Sequence, residues 1–360
     1  KRTVTQHVPL CLVAQPVIPE KTPSTTPPAP NALPDKLSWL KSEFNLELPE
    51  GHENKSELEA IANLLIEYVD VFQPCPGTFP DPAPILTEEG KTINVRQHPL
   101  PRQFHGELDE EIQKLLKQGI IEPCLNPRGW NSPLVCVRKK NGKVRICCNF
   151  KNTVNTVLRH DSDKYQLINM ETVFHDIGAG NKYFSSLDMT SGYWHMLIRP
   201  QDRHKTAFQY KSQTFQFKRL PMGLKNSADL FSRAATRALS EIPNKDNYSN
   251  YVDDITVFGK EFAKYKETLE QLFIISRKWN IRINPEKSSF LQKECKYLGR
   301  ILDCEGYRPD PDFTQGVMAM TAPTTKRQLQ SALGKFNWLR EHISANQTEK
   351  IAEYCFSNVM

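Results

Sequence analysis

Apolar residues recur at helical spacing in several segments of the chain, and each such segment is predicted to form an amphipathic helix. In the segment 106–118, Leu108, Ile112 and Leu115 share one face, and Gly119 follows as a stop signal. A later helix is expected to begin at a capping residue, Asn226 or Ser227, and another at Thr324 or Thr325. The predicted helices cover residues 56–70, 106–118, 227–241, 264–279 and 325–341.

Short β-prone runs lie between these helices. Residues 134–137 and 144–148 flank Asn141-Gly142, a dipeptide that strongly favours a two-residue hairpin turn. Residues 183–188 read as a further strand and residues 206–220 as a second hairpin. Strands and helices alternate without a strict βαβ order, which predicts an α+β fold with a mainly antiparallel sheet.

The first 34 residues differ in composition from the rest of the chain. Eight prolines fall between residues 9 and 34, with Thr and Ser among them, and no apolar periodicity accompanies them. Such a segment buries too little surface to offset its loss of conformational entropy. Residues 1–34 are therefore predicted to be a disordered, proline-rich linker.

Composition and charge restrict the class of protein only loosely. With 39% apolar residues and a formal charge of +6, the chain can build a sizeable core and is mildly basic. Its nine cysteines show no Cys-x-x-Cys spacing, which disfavours a zinc module or disulfide framework and favours an intracellular compartment, cytoplasm or nucleus. No run of 18 apolar residues and no convincing signal peptide occur, so no membrane segment is expected.

The segment Tyr251-Val-Asp-Asp-Ile-Thr-Val-Phe258 places two adjacent acids between apolar arms. An isolated Asp-Asp pair is usually a solvated turn, but these flanks have the composition of a buried strand, where two charges are costly unless they serve a function. Another acid, Asp188, ends the β-prone run 183–188. Three carboxylates can hold two Mg²⁺ ions about 4 Å apart, the arrangement that polymerases use for phosphoryl transfer. Asp188, Asp253 and Asp254 are therefore candidate metal ligands.

A basic stretch lies ahead of these acids. Residues 135–151 carry six Lys or Arg side chains and no acid, so the hairpin predicted there is suited to contact a triphosphate. Taken alone, the stretch is also compatible with a solvated basic loop.

Several motifs resemble, in sequence and in order, those of the reverse transcriptases of gypsy-type LTR retrotransposons and retroviruses. The resemblance runs from about residue 61 to residue 343. The matching stretches are Lys117–Pro123 with Ser132–Val135, Val137–Arg145, Phe184–Tyr193, Lys205–Phe208, Leu220–Ser227, Tyr251–Asp254, Tyr297–Gly299 and Leu333–Leu339.

This resemblance implies a right-hand polymerase fold. Residues 35–100 would be an N-terminal extension leading into the fingers, residues 101–322 the fingers and palm, and residues 323–360 a partial thumb. The palm sheet would be mainly antiparallel.

The resemblance also assigns roles within the site. Asp188, Asp253 and Asp254 become the catalytic metal ligands. Arg145, with Lys139 or Lys140 beside it, would contact the incoming triphosphate. Tyr193 stands where the family has the gate beneath the nucleotide sugar, and Met222 where the pocket wall contacts the nucleotide. Leu298 and Gly299 would help to hold the primer.

The implied activity is that of an RNA- and DNA-templated DNA polymerase. Its cofactors would be two Mg²⁺ ions, with Mn²⁺ as the alternative. Its partners would be an RNA or DNA template with a primer, deoxynucleoside triphosphates and other segments of a parent Pol polyprotein. Two alternatives stay open: a catalytically decayed, nucleic-acid-binding fragment of a Pol polyprotein whose missing part would carry RNase H, and a different two-metal enzyme such as a nuclease.

Overall fold

The computed structural model describes residues 32–49, 52–138, 144–159, 170–177, 179–321 and 323–339. Within these ranges the helices are α1 (Leu33–Phe44), α2 (Lys55–Glu67), α3 (His105–Lys117), α4 (Val154–Val157), α5 (Met170–Ile177), α6 (Ser227–Leu239), α7 (Phe262–Lys278), α8 (Pro311–Met318) and α9 (Lys326–Trp338). The strands are β1 (Ile121–Pro123), β2 (Leu134–Arg138), β3 (Val144–Cys148), β4 (Tyr183–Met189), β5 (Phe208–Tyr210), β6 (Gln213–Phe217), β7 (Tyr248–Tyr251), β8 (Asp254–Gly259), β9 (Ile283–Gln292), β10 (Cys295–Tyr297), β11 (Arg300–Asp303) and β12 (Gly306–Pro309).

A four-stranded sheet in the order β7-β8-β4-β9 forms the centre of the chain, and all its pairs are antiparallel. The strand β8 is buried along almost its whole length, which explains its run of apolar residues from Ile255 to Phe258. The helix α7 packs on this sheet and contributes Leu269, Leu272 and Phe273 to the core. The sequence prediction of a mainly antiparallel α+β fold agrees with this sheet.

Two smaller β units are formed by strands that lie between α3 and β7 along the chain. The strands β2 and β3 pair antiparallel in the register expected for a hairpin, and β1 joins β6 and β5 in a three-stranded sheet. Helix α3 packs against β3 and buries the predicted face of Leu108, Ile112 and Leu115. Gly119 has a φ of +65° just after this helix, the left-handed conformation that its role as a stop signal requires. The Asn141-Gly142 turn lies outside the described residues.

The C-terminal part contains the sheet β10-β11-β12 followed by α8 and α9. Helix α9 begins with a capping box, in which the Thr325 side chain accepts from the Gln328 amide and the Gln328 side chain accepts from the Thr325 amide. Of the two start residues expected from the sequence, Thr325 is therefore the cap. For α6 the capping position is Asn226, but its side chain makes no capping hydrogen bond.

Several elements had no counterpart in the sequence prediction. Helix α1 begins at Leu33, so it includes the last two residues of the predicted proline-rich linker, because Pro34 suits the first turn of a helix as well as a linker. The ten-residue strand β9 was not predicted, since its burial is irregular and its pairing with β4 contains register shifts.

The seven cysteines in the described ranges all carry free thiols.

Tyr265 of α7 connects the inner strand β4 to the neighbouring edge strand β9. Its buried hydroxyl lies 2.5 Å from Ser185 Oγ on β4 and accepts a 3.0 Å hydrogen bond from the Leu291 amide on β9. The neighbouring Gly259 leaves room for it, since a Cβ at that position would lie 2.9 Å from Tyr265 Cβ. The sheet that carries Asp188 is thus tied to α7 by polar as well as apolar contacts.

We expect Tyr265→Phe to lower the free energy of unfolding by about 1–3 kcal/mol, because two buried polar groups lose their partner. Chemical denaturation of the variant and the parent protein measures the difference. Ser185→Ala is the matched control, with a smaller expected loss because the bond to Leu291 remains. A Tyr265→Phe protein as stable as its parent would contradict this account of the sheet.

Candidate active site

The two adjacent acids lie at a hairpin tip. Tyr251 at the end of β7 pairs with Asp254 at the start of β8, so Val252 and Asp253 form a two-residue turn. Val252 has a φ of +58°, a conformation that β-branched residues rarely adopt and that tends to occur at functional sites. This turn lets both carboxylates serve one end of the sheet, although adjacent residues on a straight strand point to opposite faces.

The third acid reaches the same end of the sheet through strand register. Asp188 is the direct partner of Asp254 in the β4–β8 ladder. The Met189 amide donates a 3.0 Å hydrogen bond to the Asp253 carbonyl, which fixes the hairpin tip against the end of β4. The structure therefore brings Asp188, Asp253 and Asp254 together.

Burial and mutual repulsion disfavour the charged forms of these carboxylates. Burial, followed by the nearby Asp253 and Asp188, raises the pKa of Asp254 to about 6. Burial also raises the pKa of Asp188, an effect that the Lys287 ammonium opposes and Asp253 reinforces. Since both pKa values lie above those of an unfolded chain, ionisation of these groups opposes folding above the ordinary carboxyl pKa. A cation bound there would relieve this cost.

Lys287 of β9 supplies one positive charge at this site. Its Nζ lies 3.1 Å from each Asp188 carboxylate oxygen, and its side chain is 64% exposed while that of Asp188 is 16% exposed. The sequence analysis did not single out this residue. No local pattern marks it, because its approach to Asp188 depends on the pairing of β9 with β4 across 99 residues.

The chemistry of the donor set fits a hard divalent cation, since carboxylate oxygens are the ligands that Mg²⁺ and Mn²⁺ prefer. Within the described ranges, no three carboxylate, imidazole or thiol groups converge closely enough to hold one metal ion. In the described site, the Lys287 ammonium is the cation in contact with Asp188. Asp188, Asp253 and Asp254 are the carboxylates at this end of the sheet that would be available to such a divalent cation.

Tyr193 lies beside this acidic cluster. It belongs to the 3₁₀ turn Gly192–His195, and its ring packs edge-on against Phe231 of α6 at a centroid distance of 5.4 Å. Burial and the nearby Asp253 charge raise the pKa of its hydroxyl. Gly192 makes the closest approach to the acids, since a Cβ there would lie 3.0 Å from Asp253 Cβ.

Tyr193 also lines a cavity of about 220 Å³, and none of the three aspartates is among its lining residues. Tyr193, Met222 and Cys147 are among the residues that line it, and Met222 is 47% exposed. The structure therefore places Tyr193 and Met222 on one cavity. Lys139 and Lys140 lie outside the described residues, and Arg145 is described only through its backbone, as the partner of Val137 in the β2–β3 ladder.

Leu298 and Gly299 form the turn between β10 and β11. Their φ values are +47° and +77°, as a type I′ hairpin turn requires. Helix α9 approaches this turn closely, since a Cβ on Gly299 would lie 2.8 Å from the Trp338 ring. The guanidinium of Arg300 lies 4.0 Å from the centre of that ring and donates to the Trp338 carbonyl. The turn therefore packs against α9 through Gly299, while Leu298 packs against a core cluster that includes Phe184 of β4 and Phe258 of β8.

Residues 137–302 match the family described as reverse transcriptase (RNA-dependent DNA polymerase). The chain carries a reverse transcriptase domain. Over 294 residues it is 33% identical to the retrovirus-related Pol polyprotein from transposon opus of Drosophila melanogaster. That alignment covers 79% of this chain and 29% of the polyprotein, so the reverse transcriptase chain spans under a third of this relative.

Solved structures of foamy viral protease-reverse transcriptase share the fold. The structure in complex with double-stranded DNA has a TM-score of 0.77 and 25% identity, covering 94% of this chain and 57% of that one. The structure with an RNA/DNA hybrid has a TM-score of 0.70 and 25% identity, covering 88% and 42%. The predicted right-hand polymerase fold and the predicted family are confirmed.

Among the described helices of the reverse transcriptase chain, none combines the length and apolar composition needed to cross a bilayer.

We expect Lys287→Met to increase the affinity of the reverse transcriptase chain for Mn²⁺, because the ammonium no longer competes with the ion for Asp188. The increase should be about two- to fivefold, since a largely exposed ion pair is worth at most about 1 kcal/mol. Mn²⁺ binding can be followed by electron paramagnetic resonance. Lys293→Met is the control, since Lys293 pairs with Glu53 instead. Equal affinities for the parent and Lys287→Met would show that the ammonium does not compete with the ion.

Proposed function

We propose that this chain is the polymerase part of a retroelement Pol protein and adds deoxynucleotides to a primer 3′-hydroxyl on an RNA or DNA template. One observation carries the proposal: strand register and the adjoining turn bring the carboxylates of Asp188, Asp253 and Asp254 to one end of the central sheet, where Asp253 lies near Tyr193. The reverse transcriptase family match supports the same reaction.

Asp188, Asp253 and Asp254 would hold two Mg²⁺ ions, with Mn²⁺ as the alternative. When bound, the ions would lower the pKa of the primer hydroxyl and neutralise charge on the triphosphate and the leaving pyrophosphate. The chain's own contribution is to keep its ligands in place, and two features support it. Asp253 is fixed by its carbonyl bond to Met189, and Asp254 is fixed by its ladder partner Asp188.

The cavity beside Tyr193 and the turn between β10 and β11 support roles for further residues in binding the nucleotide and the primer. Tyr193 would lie beneath the sugar of the incoming nucleotide and Met222 at the wall of its pocket, which their shared cavity supports. Arg145, with Lys139 or Lys140, would contact the triphosphate. Leu298 and Gly299 would support the primer end from their rigid turn.

The proposed partners are a primed RNA or DNA template, deoxynucleoside triphosphates and other segments of a Pol polyprotein. The foamy viral relatives in complex with double-stranded DNA and with an RNA/DNA hybrid support the nucleic acid partners. We also propose the domain limits given by the resemblance: an extension over 35–100, fingers and palm over 101–322, and a partial thumb over 323–360. The intracellular compartment stays a prediction from cysteine usage.

Asp188→Asn and Asp253→Asn are each expected to reduce Mg²⁺-dependent primer extension on the order of a hundredfold or more, since each removes a charged ligand without changing side-chain size. Steady-state primer extension measures the effect, and circular dichroism verifies folding. Asp81→Asn, at an exposed acid paired with Arg237, should extend primers like the parent. A parent chain that binds primer-template but extends nothing would instead support a catalytically decayed fragment.

Tyr193→Ala is expected to raise incorporation of ribonucleotides relative to deoxynucleotides by on the order of tenfold to a hundredfold, because the ring no longer obstructs a 2′-hydroxyl. Single-nucleotide insertion with matched dNTP and rNTP measures this ratio. Tyr193→Phe keeps the ring against Phe231 and should retain the parent ratio. If Tyr193→Ala loses both insertions in proportion to lost folding, the ring is only a core aromatic.

A further inference from the structure

His195 is fully buried at the end of the turn that carries Tyr193, and both of its ring nitrogens are engaged. Nδ1 lies 3.1 Å from the Gly192 carbonyl oxygen, and Nε2 lies 3.0 Å from the Arg282 backbone nitrogen. The residue was not among the site residues inferred from the sequence, and the proposed reaction does not use it directly.

These two contacts determine the tautomer of the ring. The Arg282 N–H can only donate, so Nε2 must accept and carries no proton. Nδ1 therefore carries the proton and donates it to the Gly192 carbonyl. Burial, with the nearby Arg219 and Arg282 charges, lowers the pKa of His195 to about 4, so the ring stays neutral around pH 7.

The carbonyl that His195 holds belongs to the residue between the acids and the gate. Gly192 lies against Asp253 and Phe231, since a Cβ at this position would lie only 3.0 Å from Asp253 Cβ and 3.0 Å from the Phe231 ring. It also precedes Tyr193 directly. Gly192 and Tyr193 together form what we call the floor of the proposed nucleotide site. A shift of the Gly192 carbonyl would therefore move this floor relative to the proposed metal ligands.

Other anchors hold different parts of the same turn. Arg219 donates to the Trp194 and Gly77 carbonyls, and the Phe79 amide donates to the His195 carbonyl at 2.8 Å. Arg282 itself is tied to the central sheet, because its carbonyl accepts from the Thr190 amide two residues beyond Asp188. Among these contacts, the His195 ring is the one that links the peptide of Gly192 to the start of β9.

We propose that His195 is a positioning residue for the polymerase reaction, which fixes the Gly192–Tyr193 floor against Asp253 through its bond to the Gly192 carbonyl. The inference rests on the proposed function. Loss of the hydrogen bond from His195 to the Gly192 carbonyl should weaken both the binding of the incoming nucleotide and the rejection of ribonucleotides. The chemical step after the nucleotide is bound should change little.

Two conservative variants separate the two hydrogen bonds of the ring. The side-chain nitrogen of asparagine can occupy the place of Nδ1, so His195→Asn keeps the bond to Gly192 and loses the bond to Arg282. The longer side chain of glutamine reaches the place of Nε2, so His195→Gln keeps the Arg282 bond and loses the other. Each variant leaves one buried backbone group without its partner, so a purely structural role predicts similar losses of stability and activity. His195→Leu removes both bonds.

The experiment measures three quantities for the parent and the three variants. They are KM and kcat for single-nucleotide insertion, the ratio of dNTP incorporation to rNTP incorporation, and the melting temperature. We expect His195→Leu and His195→Gln to raise the KM for dNTP about tenfold and to lower the dNTP-to-rNTP ratio, with kcat changed less than threefold. His195→Asn should remain within about threefold of the parent KM. Parental values in all three variants, KM values that follow melting temperature, or a Gln variant closer to the parent than the Asn variant would each overturn the proposal.

A second readout separates failure of this inference from failure of the proposed function. The affinity of each protein for a non-hydrolysable dNTP is measured in its complex with primer-template and Ca²⁺. A parent that binds this nucleotide but extends no primer would refute the polymerase proposal, while the ranking of nucleotide affinities among the variants would still support or overturn the role of His195. A parent that binds no nucleotide would overturn both.

Discussion

Carboxylates held side by side at the end of a buried sheet repel one another, and the backbone gives them little freedom to separate. Asp188 and Asp254 are directly opposite in the β4–β8 ladder, while Asp253 occupies the adjoining turn and is bonded through its carbonyl to Met189. Because the ladder and the turn fix their Cα positions, the repulsion is relieved by opposite charge or by proton binding. Lys287 supplies positive charge from β9, while burial first and the neighbouring carboxylates second raise the pKa values of Asp188 and Asp254.

The unfavourable burial of these carboxylates is offset by the packing and hydrogen bonds that stabilise the central sheet. The inner strands bury Leu187, Ile255 and Val257 in the same core cluster as the apolar residues of α7, while Phe184 lies in a second cluster with Phe174 of α5. Tyr265 adds two hydrogen bonds that connect α7 to β4 and β9. Rigid strands therefore carry the charged groups, and the apolar core stabilises the strands.

The parts of the site outside the sheet depend on side-chain anchors instead. His195 and Arg219 hold the turn that carries Tyr193, and Trp338 of α9 packs on the Leu298-Gly299 turn. Each anchor joins segments far apart in sequence: His195 reaches the Arg282 amide across 87 residues, and Arg300 reaches Trp338 across 38. The Leu298-Gly299 turn is held from two sides, since Leu298 also packs against the core cluster that contains Phe184 and Phe258 of the central sheet.

The sequence by itself determined the elements whose signals are local. Periodic apolar residues gave α3, α6, α7 and α9, alternating and apolar runs gave β4 and the β5–β6 hairpin, and ordered motifs indicated the polymerase fold and the three aspartates. Only the tertiary structure decided which side chains from distant segments contact these elements and the three aspartates. The approach of Lys287 to Asp188, the two bonds of the His195 ring and the contact of Trp338 with Gly299 all depend on strand pairing and helix packing between remote segments. Local periodicity reports which face of an element is buried, whereas the partner on that face is set by how the whole chain folds back on itself.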